Sequence, residues 1–444
     1  MAAKQEKTLV FFPSFYLLIS LIFNHNVVLG EKKLRMVNMV YRHGDRSPTT
    51  TFPFDKNLKY WPQGLGQLTQ LGMRQEYNLG QFIKKRYIVD NKLLNKTMYL
   101  KDEVYCRSTD TDRTIMSAQA QMNGLYPPYG NQIWRPHVEW QPIPVHVESI
   151  KNDKLLKGSN CPRYEELMER SYSSQEYKDI KLKYQDFYKG LCLKTGLNDS
   201  LKFRNLYSVH DNLFCSQSHN LTLPSWANTT VMSVLKNISD FEMYLMTFSK
   251  EMAKLQYGLL LGEMTKHMQG FVNHEKGIRK AYIYSAHDIT VSGMLAILGL
   301  FDRISPSYSS AFILELYSSD NGNDHSVRIF YRFGQSDKPR QLTLEGCDAD
   351  CPLNDFIELT KDSIPKDRDA ECGAKEKMCF KSIVYKSFLA AFAGTLVILI
   401  LLSFCLCCCW CKRRRSRMQA TRVNFDDGLL KDASLLHNQD YDSE

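Results

Sequence analysis

Leu34-Arg-Met-Val-Asn-Met-Val-Tyr41-Arg42-His43-Gly44-Asp45-Arg46-Ser47-Pro48-Thr49 carries an apolar-rich run straight into a polar turn containing Gly and Pro. The run predicts a β-strand over Leu34–Tyr41 that ends in a loop. At the end of that strand two guanidiniums flank one imidazole. A guanidinium presents a rigid fork of N–H donors that matches phosphate oxygens and never loses its charge. Arg42 and Arg46 are therefore candidates to hold a phosphoryl group against the ring of His43. Gly44, lacking a Cβ, is expected to let the backbone pass close to that ligand.

The same design recurs downstream. Thr69 opens an amphipathic helix through Tyr87, with Thr69 as N-cap and Leu71, Leu79, Phe82 and Ile83 on one face. The preceding Gly64-Leu-Gly66 reads as a turn into that helix, since neither a P-loop nor a dinucleotide fingerprint is complete. Lys101 to Arg107 is an extended segment, and Ser108-Thr109-Asp110 offers N-cap chemistry for a helix through Met122. Lys280 to Ser285 is a third strand, followed by His287-Asp288 and a helix over Thr290 to Leu298. Strand, polar loop and helix in alternation predict an α/β sheet with ligand groups gathered beyond the carboxyl ends of its strands. Arg107 and His287, at the ends of the second and third strands, become further candidate phosphate contacts. Asp288 is the carboxylate beside them that can protonate a leaving alcohol. Residues 136–276, charged and rich in Tyr and Met with helical spacing, read as a helical insertion between the two parts of the α/β body, 31–135 and 277–380.

The ends of the chain carry targeting features. Lys4 and Lys7 precede the apolar run Leu9 to Phe23, and Val28-Leu29-Gly30 leads to charged residues, so 1–30 reads as a cleaved secretory signal. Ser387 to Cys411 is 25 residues without a charge, enough at ~1.5 Å per residue to cross a ~30 Å hydrocarbon core. Lys412, Arg413, Arg414, Arg415 and Arg417 follow at once. The positive-inside bias then puts the 412–444 tail in the cytosol and residues 31–386 outside it. The same cluster supplies five of the charges behind the net +9, and the other basic residues are dispersed, which argues against a nucleic-acid partner. Five sequons, at Asn95, Asn198, Asn220, Asn228 and Asn237, fall on the lumenal side as candidate glycosylation sites. The tail holds Asp426-Asp-Gly-Leu-Leu430 and Asp432-Ala-Ser-Leu-Leu436, which resemble Asp-x-x-Leu-Leu signals that sort cargo towards endosomes. A lysosomal or endosomal steady state is expected, with the plasma membrane as the alternative.

Eight of the thirteen cysteines precede the span, and an even number in an oxidising lumen implies disulfides. Cys347 and Cys351 alone make a poor zinc site, lacking a second pair or a nearby His. Cys405, Cys407, Cys408, Cys409 and Cys411 at the inner edge of the span are either acylation sites or small apolar fillers.

The Arg-His-Gly-x-Arg-x-Pro run with a distant His-Asp pair resembles the histidine acid phosphatases. The likeness continues through Trp61-Pro-Gln-Gly-Leu-Gly-Gln-Leu-Thr69, Arg107-Ser-Thr-Asp-Thr-Asp-Arg113-Thr, Trp140-Gln-Pro-Ile-Pro-Val-His146, Leu223-Pro-Ser-Trp226 and Tyr284-Ser-Ala-His287-Asp288, as in the lysosomal and prostatic branch. The resemblance implies His43 as nucleophile and Asp288 as proton donor. Arg42, Arg46, Arg107 and His287 become the phosphate ligands. It implies a phosphoglycerate mutase-like α/β fold, a central mixed sheet flanked by helices with a helical insertion. It further implies no metal or other cofactor, small phosphomonoester substrates and a homodimer. Bridges Cys161–Cys372 and Cys347–Cys351 are implied too. Ala311 stands where the family has the partner of Cys215, so Cys215 needs another, with Cys106, Cys192 and Cys379 available. Cys106 adjoins Arg107, so its oxidation state is a possible influence on the site. Attack requires neutral His43, whose pKa the adjacent arginines should depress, and Asp288 protonated at the outset. Rival readings are a phytase-like or mutase-like enzyme of the same fold, and a non-catalytic ectodomain.

Overall fold

The computed structural model describes residues 32–197, 201–320 and 322–435. The signal segment 1–30, Asn198 and Leu436 lie outside them, as does the side chain of Cys379. Among the described residues eight strands form one mixed sheet. They are β1 (Lys33–Arg42), β2 (Val104–Thr109), β3 (His146–Glu148), β4 (Ala281–Ala286), β5 (Ala311–Ser318), β6 (His325–Arg332), β7 (Arg340–Leu342) and β8 (Cys351–Pro352). Their order is β3-β2-β4-β1-β5-β6-β7, with β8 against β6. β1, β2 and β4 are mutually parallel, so their carboxyl ends open on one side, whereas β5 and β6 continue the sheet antiparallel.

Helices cover both faces. The period of two along β1 sends Met36 and Val40 into one apolar layer and Val37, Met39 and Tyr41 into the other. The second layer packs against α1 (Gln70–Lys84) and α2 (Asp112–Leu125), through Leu79, Phe82, Ile83, Ala118 and Met122. Between β3 and β4 come six helices among the described residues: α3 (Pro162–Ser171), α4 (Gln175–Lys183), α5 (Gln185–Thr195), α6 (Leu206–Ser218), α7 (Thr229–Leu245) and α8 (Lys250–Val272). Then α9 (Asp288–Ile297) follows β4 directly. The first layer takes α8 and α9, through Leu260, Leu261, Met264, Val291 and Met294. Each fully buried Leu, Met or Phe in these layers is worth about 1.5–3 kcal/mol relative to exposure. A third cluster, around Leu206, Val209, Leu213, Leu235, Ile238 and Leu245 of α6 and α7, also takes in Tyr177 of α4 and Leu191 of α5. Disulfides join Cys161 to Cys372 and Cys347 to Cys351.

The fold is α/β with a mixed sheet flanked by helices, and two local expectations need correction. The 136–276 stretch is not purely helical, because β3 lies in it and extends the sheet beside β2 through three residues, too few to show a period. The N-cap of α2 is Thr111, with no side-chain cap, rather than Ser108, Thr109 or Asp110, because β2 continues through Thr109. Gly44 is small for packing against its own fold. A Cβ there would sit 2.4 Å from the carbonyl of Gly72, in the first turn of α1. Thr69 caps α1 as expected, accepting from the Gly72 N–H at 3.1 Å.

Among the described residues the C-terminal unit is one helix, Ala374–Leu435. Within it Lys386–Met418, 33 residues, is long and apolar enough to cross a membrane. The expected span 387–411 falls inside that stretch.

Candidate active site

Register decides what meets at the open end of the sheet. Arg42 pairs with Ala286 across β1 and β4, so the next residues, His43 and His287, leave their strands side by side. Their rings approach edge-on at 5.6 Å between centroids. His43 is almost fully buried. Its Nδ1 lies 2.8 Å from the carbonyl oxygen of Gly44. A carbonyl only accepts, so Nδ1 carries the proton and the Nε2 lone pair is left free. Burial pushes the pKa of His43 well below its ordinary value, and the charges of Arg42, Arg113 and Arg46 push in the same direction. Removal from water thus leads, with the arginines second.

Arg42 places one Nη 2.9 Å from the carboxylate of Asp288 and donates the other to the carbonyl of Pro306 at 2.6 Å, with its plane over the Tyr308 ring. Arg46 makes a two-pronged contact with Asp211 on α6, both distances 2.9 Å. Asp211 also accepts from the N–H and hydroxyl of Thr49, each at 3.1 Å. The helical segment between β3 and β4 therefore aims one of the two arginines of the first motif.

Asp288 opens α9. Burial alone would raise its pKa. Arg42 and Arg46, the Ile289 N–H at 2.8 Å and Arg113 outweigh that, and the net shift is downward. In the empty site Arg42 holds Asp288 towards its carboxylate form, whereas the acid form is expected beside a bound phosphate dianion. His287 Nε2 lies 3.0 Å from the Thr109 hydroxyl. Thr114 can give its proton to the Thr111 carbonyl at 2.8 Å and Thr109 its own to Thr114 at 2.8 Å. That order makes Thr109 the acceptor of an Nε2–H from His287.

Arg107 does not join this group. It pairs with Tyr284, two residues before the level of Arg42 and Ala286, a setback of about 6–7 Å along the strand. Its guanidinium is bound to the buried Asp153 at 2.7 Å. The third arginine is instead Arg113, from the first turn of α2, whose charge acts on His43, His287 and Asp288. Burial and then Arg46 lower its own pKa to about 10. Lys157 adds a further positive charge beside His287. Cys215 makes no disulfide among the described residues. It is a buried thiol 3.8 Å from Arg46 and 3.7 Å from the Tyr308 hydroxyl, pushed up to about 12 by burial and by Asp211. Cys106 is likewise a free thiol, turned into the core, and burial raises it to about 12.

A buried imidazole with a free ring nitrogen, ringed by guanidiniums and with a carboxylate beside them, suits phosphoryl transfer. Residues 33–332 match the model of the histidine phosphatase superfamily, branch 2. The chain belongs to that family. It is 41% identical over 377 residues to prostatic acid phosphatase of Bos taurus, covering 84% of this chain and 96% of that protein. It is 41% identical over 366 residues to lysosomal acid phosphatase of Homo sapiens, covering 80% and 85%. The phytase structure from Citrobacter braakii shares the fold, with a TM-score of 0.57 at 18% identity over 77% of this chain and 99% of that one.

Proposed function

We propose that the chain is an acid phosphatase that hydrolyses phosphate monoesters through a phosphohistidine on His43. The observation that carries this reading is the Nδ1–Gly44 hydrogen bond, which leaves Nε2 unprotonated among Arg42, Arg46 and Arg113. The three arginines hold the phosphoryl oxygens, where most transition-state charge develops, and His287 joins them by turning its Nε2–H from the Thr109 hydroxyl to the bound substrate. Nε2 attacks phosphorus, the P–O bond to the leaving group breaks, and Asp288 protonates the departing oxygen. Asp288 then takes a proton from the water that attacks phosphohistidine, the P–N bond breaks, and His43 returns neutral with release of phosphate.

Because Asp288 is ionised in the free site, its proton must arrive with the substrate. A phosphate monoanion meeting an Asp288 carboxylate holds the same protons as a dianion meeting the acid. Binding also takes Arg42 away from Asp288 and puts a negative group beside it, which raises its affinity for that proton. Monoanion is lost above a second phosphate pKa of about 6. We therefore expect kcat/KM to fall about tenfold per pH unit above that point and the fall to move with the pKa of the ester chosen. His43, depressed by burial, stays neutral on the acid side. Detergent-solubilised full chain assayed on aryl esters, alkyl esters and inositol hexakisphosphate from pH 3 to 8 tests both points. Failure to hydrolyse any of them rejects the phosphatase reading, and a limb independent of ester pKa rejects the proton route.

The setting we propose is a glycosylated type I membrane protein with residues 31–386 in an acidic lumen. The secretory-type N-terminus, the sequons, the apolar C-terminal helix and the acidic dileucine motifs support it. Alanine at Leu429, Leu430, Leu435 and Leu436 should move the protein to the cell surface, as read by surface labelling, with its activity unchanged. We also propose a homodimer through β3. That strand is an edge, and Ile133, Trp134, Trp140 and Val147 beside it are 41–57% exposed, a surface suited to a second copy. A monomeric sedimentation profile at micromolar concentration would reject it.

A further inference from the structure

A cavity of about 590 Å³ lies between the loop from Tyr60 to Gln67, the first turns of α1 and the end of α6. That size is within the ~300–1,000 Å³ of small-molecule sites. Its lining includes Tyr60, Trp61, Gln63, Gln70, Arg74 and Asn220, with no Asp or Glu and one guanidinium. Tyr60 is half exposed and stands edge-on to Trp61, whose buried indole N–H has no partner among the described residues. Aromatic faces beside amides, with little net charge, suit an uncharged polyol with apolar ring faces better than a phosphate.

The rim supplies such a ligand. Asn220 begins the sequon Asn220-Leu-Thr222. It sits in a left-handed turn at φ 55°, with its backbone N–H on the Gln217 carbonyl at 3.0 Å. The Thr222 carbonyl accepts from Asn57 Nδ2 at 3.1 Å, which ties the sequon to the chain leading into Tyr60. The carboxamide of Asn220 is exposed and makes no hydrogen bond among the described residues. A sugar attached there is held at an effective concentration on the order of millimolar, so weak individual contacts suffice to seat it.

We propose that the N-linked glycan of Asn220 folds back into this cleft, its core N-acetylglucosamines lying against Tyr60 and Trp61 and hydrogen-bonding to Gln63, Gln70 and Arg74. The proposal rests on the lumenal placement given above. The seated glycan reaches the loop of the first motif through one relay, because Trp61 packs edge-on at 5.0 Å against His219, and His219 holds Asp45 at 2.6 Å.

The test is native deglycosylation of the full chain made in a secretory host. Peptide N-glycosidase is added without denaturant, and occupancy at Asn220 and at exposed Asn237 is followed by site-resolved mass spectrometry. A glycan seated about nine-tenths of the time should be released about tenfold more slowly from Asn220 than from Asn237. The surface variant Tyr60→Ala with Gln63→Ala and Gln70→Ala should bring the two rates together. Equal rates in the wild type, a difference that survives the triple variant, or an unmodified Asn220 beside a modified Asn237 would each overturn the cleft assignment. Absence of glycan at every sequon would instead reject the lumenal placement and the inference with it.

Discussion

His43→Ala is expected to lower kcat on the order of 10⁴–10⁶-fold, the range seen when a catalytic nucleophile is removed. No neighbouring group is placed to replace it. Nε2 of His287 is engaged with Thr109, and the Cys215 thiol, raised to about 12, is protonated at any acid pH. Denaturing the wild type in alkali during turnover of a ³²P-labelled ester should leave label on the protein. Acid should strip it, because a phosphoramidate is acid-labile. The His43 variant should carry none. Asp288→Asn should still form the adduct with a good leaving group but release it slowly, since the base for water is gone. Alkali-stable label on His43→Ala would remove His43 from the role of nucleophile.

The second large effect separates two arginines that lie six residues apart. Arg113→Ala is expected to cost about 10²–10³-fold in kcat/KM, as loss of one transition-state donor does elsewhere. It should also raise the pKa of His43, because Arg113 is one of the charges that depress it, so that any loss of activity on the acid side begins at a higher pH than in the wild type. Arg107→Ala should leave kcat/KM within severalfold of wild type. Its cost should fall on stability, since Asp153 is fully buried and would lose its counter-ion. Breaking a buried pair in this way costs about 3–5 kcal/mol. The lower end applies here because Asp153 keeps the Leu155 and Leu156 N–H groups. Urea midpoints and steady-state kinetics on both variants decide the matter. If Arg107→Ala lost as much activity as Arg113→Ala with an unchanged midpoint, Arg107 would return to the phosphate site.

The strand, turn and helix signals around Arg42–Arg46 and His287–Asp288 were legible because each group follows an apolar run directly, and parallel pairing then brings the run ends together. What one strand cannot tell is its stagger against the next. Arg107 looks terminal in its own segment, yet β2 runs two residues further and the guanidinium falls short. Arg113 stood in the same quoted stretch. The usable signal was its place in the first turn of the helix beyond the strand, where a side chain can face back over the strand ends. Asp211 offered no local signal at all, being 165 residues from Arg46 on a helix of the intervening segment. The protonation of Asp288 depends on what occupies the site. Proximity to Arg42 is a property of the empty site, and the acid form belongs to the occupied one.

Cys372 is crosslinked to Cys161, 211 residues earlier, and the C-terminal helix begins at Ala374. Tension applied along the backbone from the C-terminal helix therefore meets a covalent staple before it meets any hydrogen bond of the sheet. The staple delivers that load to the start of α3, where Cys372 also accepts from the Arg163 N–H. A proteolytic cut after Gly373 leaves both staples, the whole sheet and every candidate catalytic residue in one piece. The segment between Gly373 and the apolar stretch thus lies downstream of every candidate catalytic residue, and cutting it separates the α/β body from the C-terminal helix without touching the site.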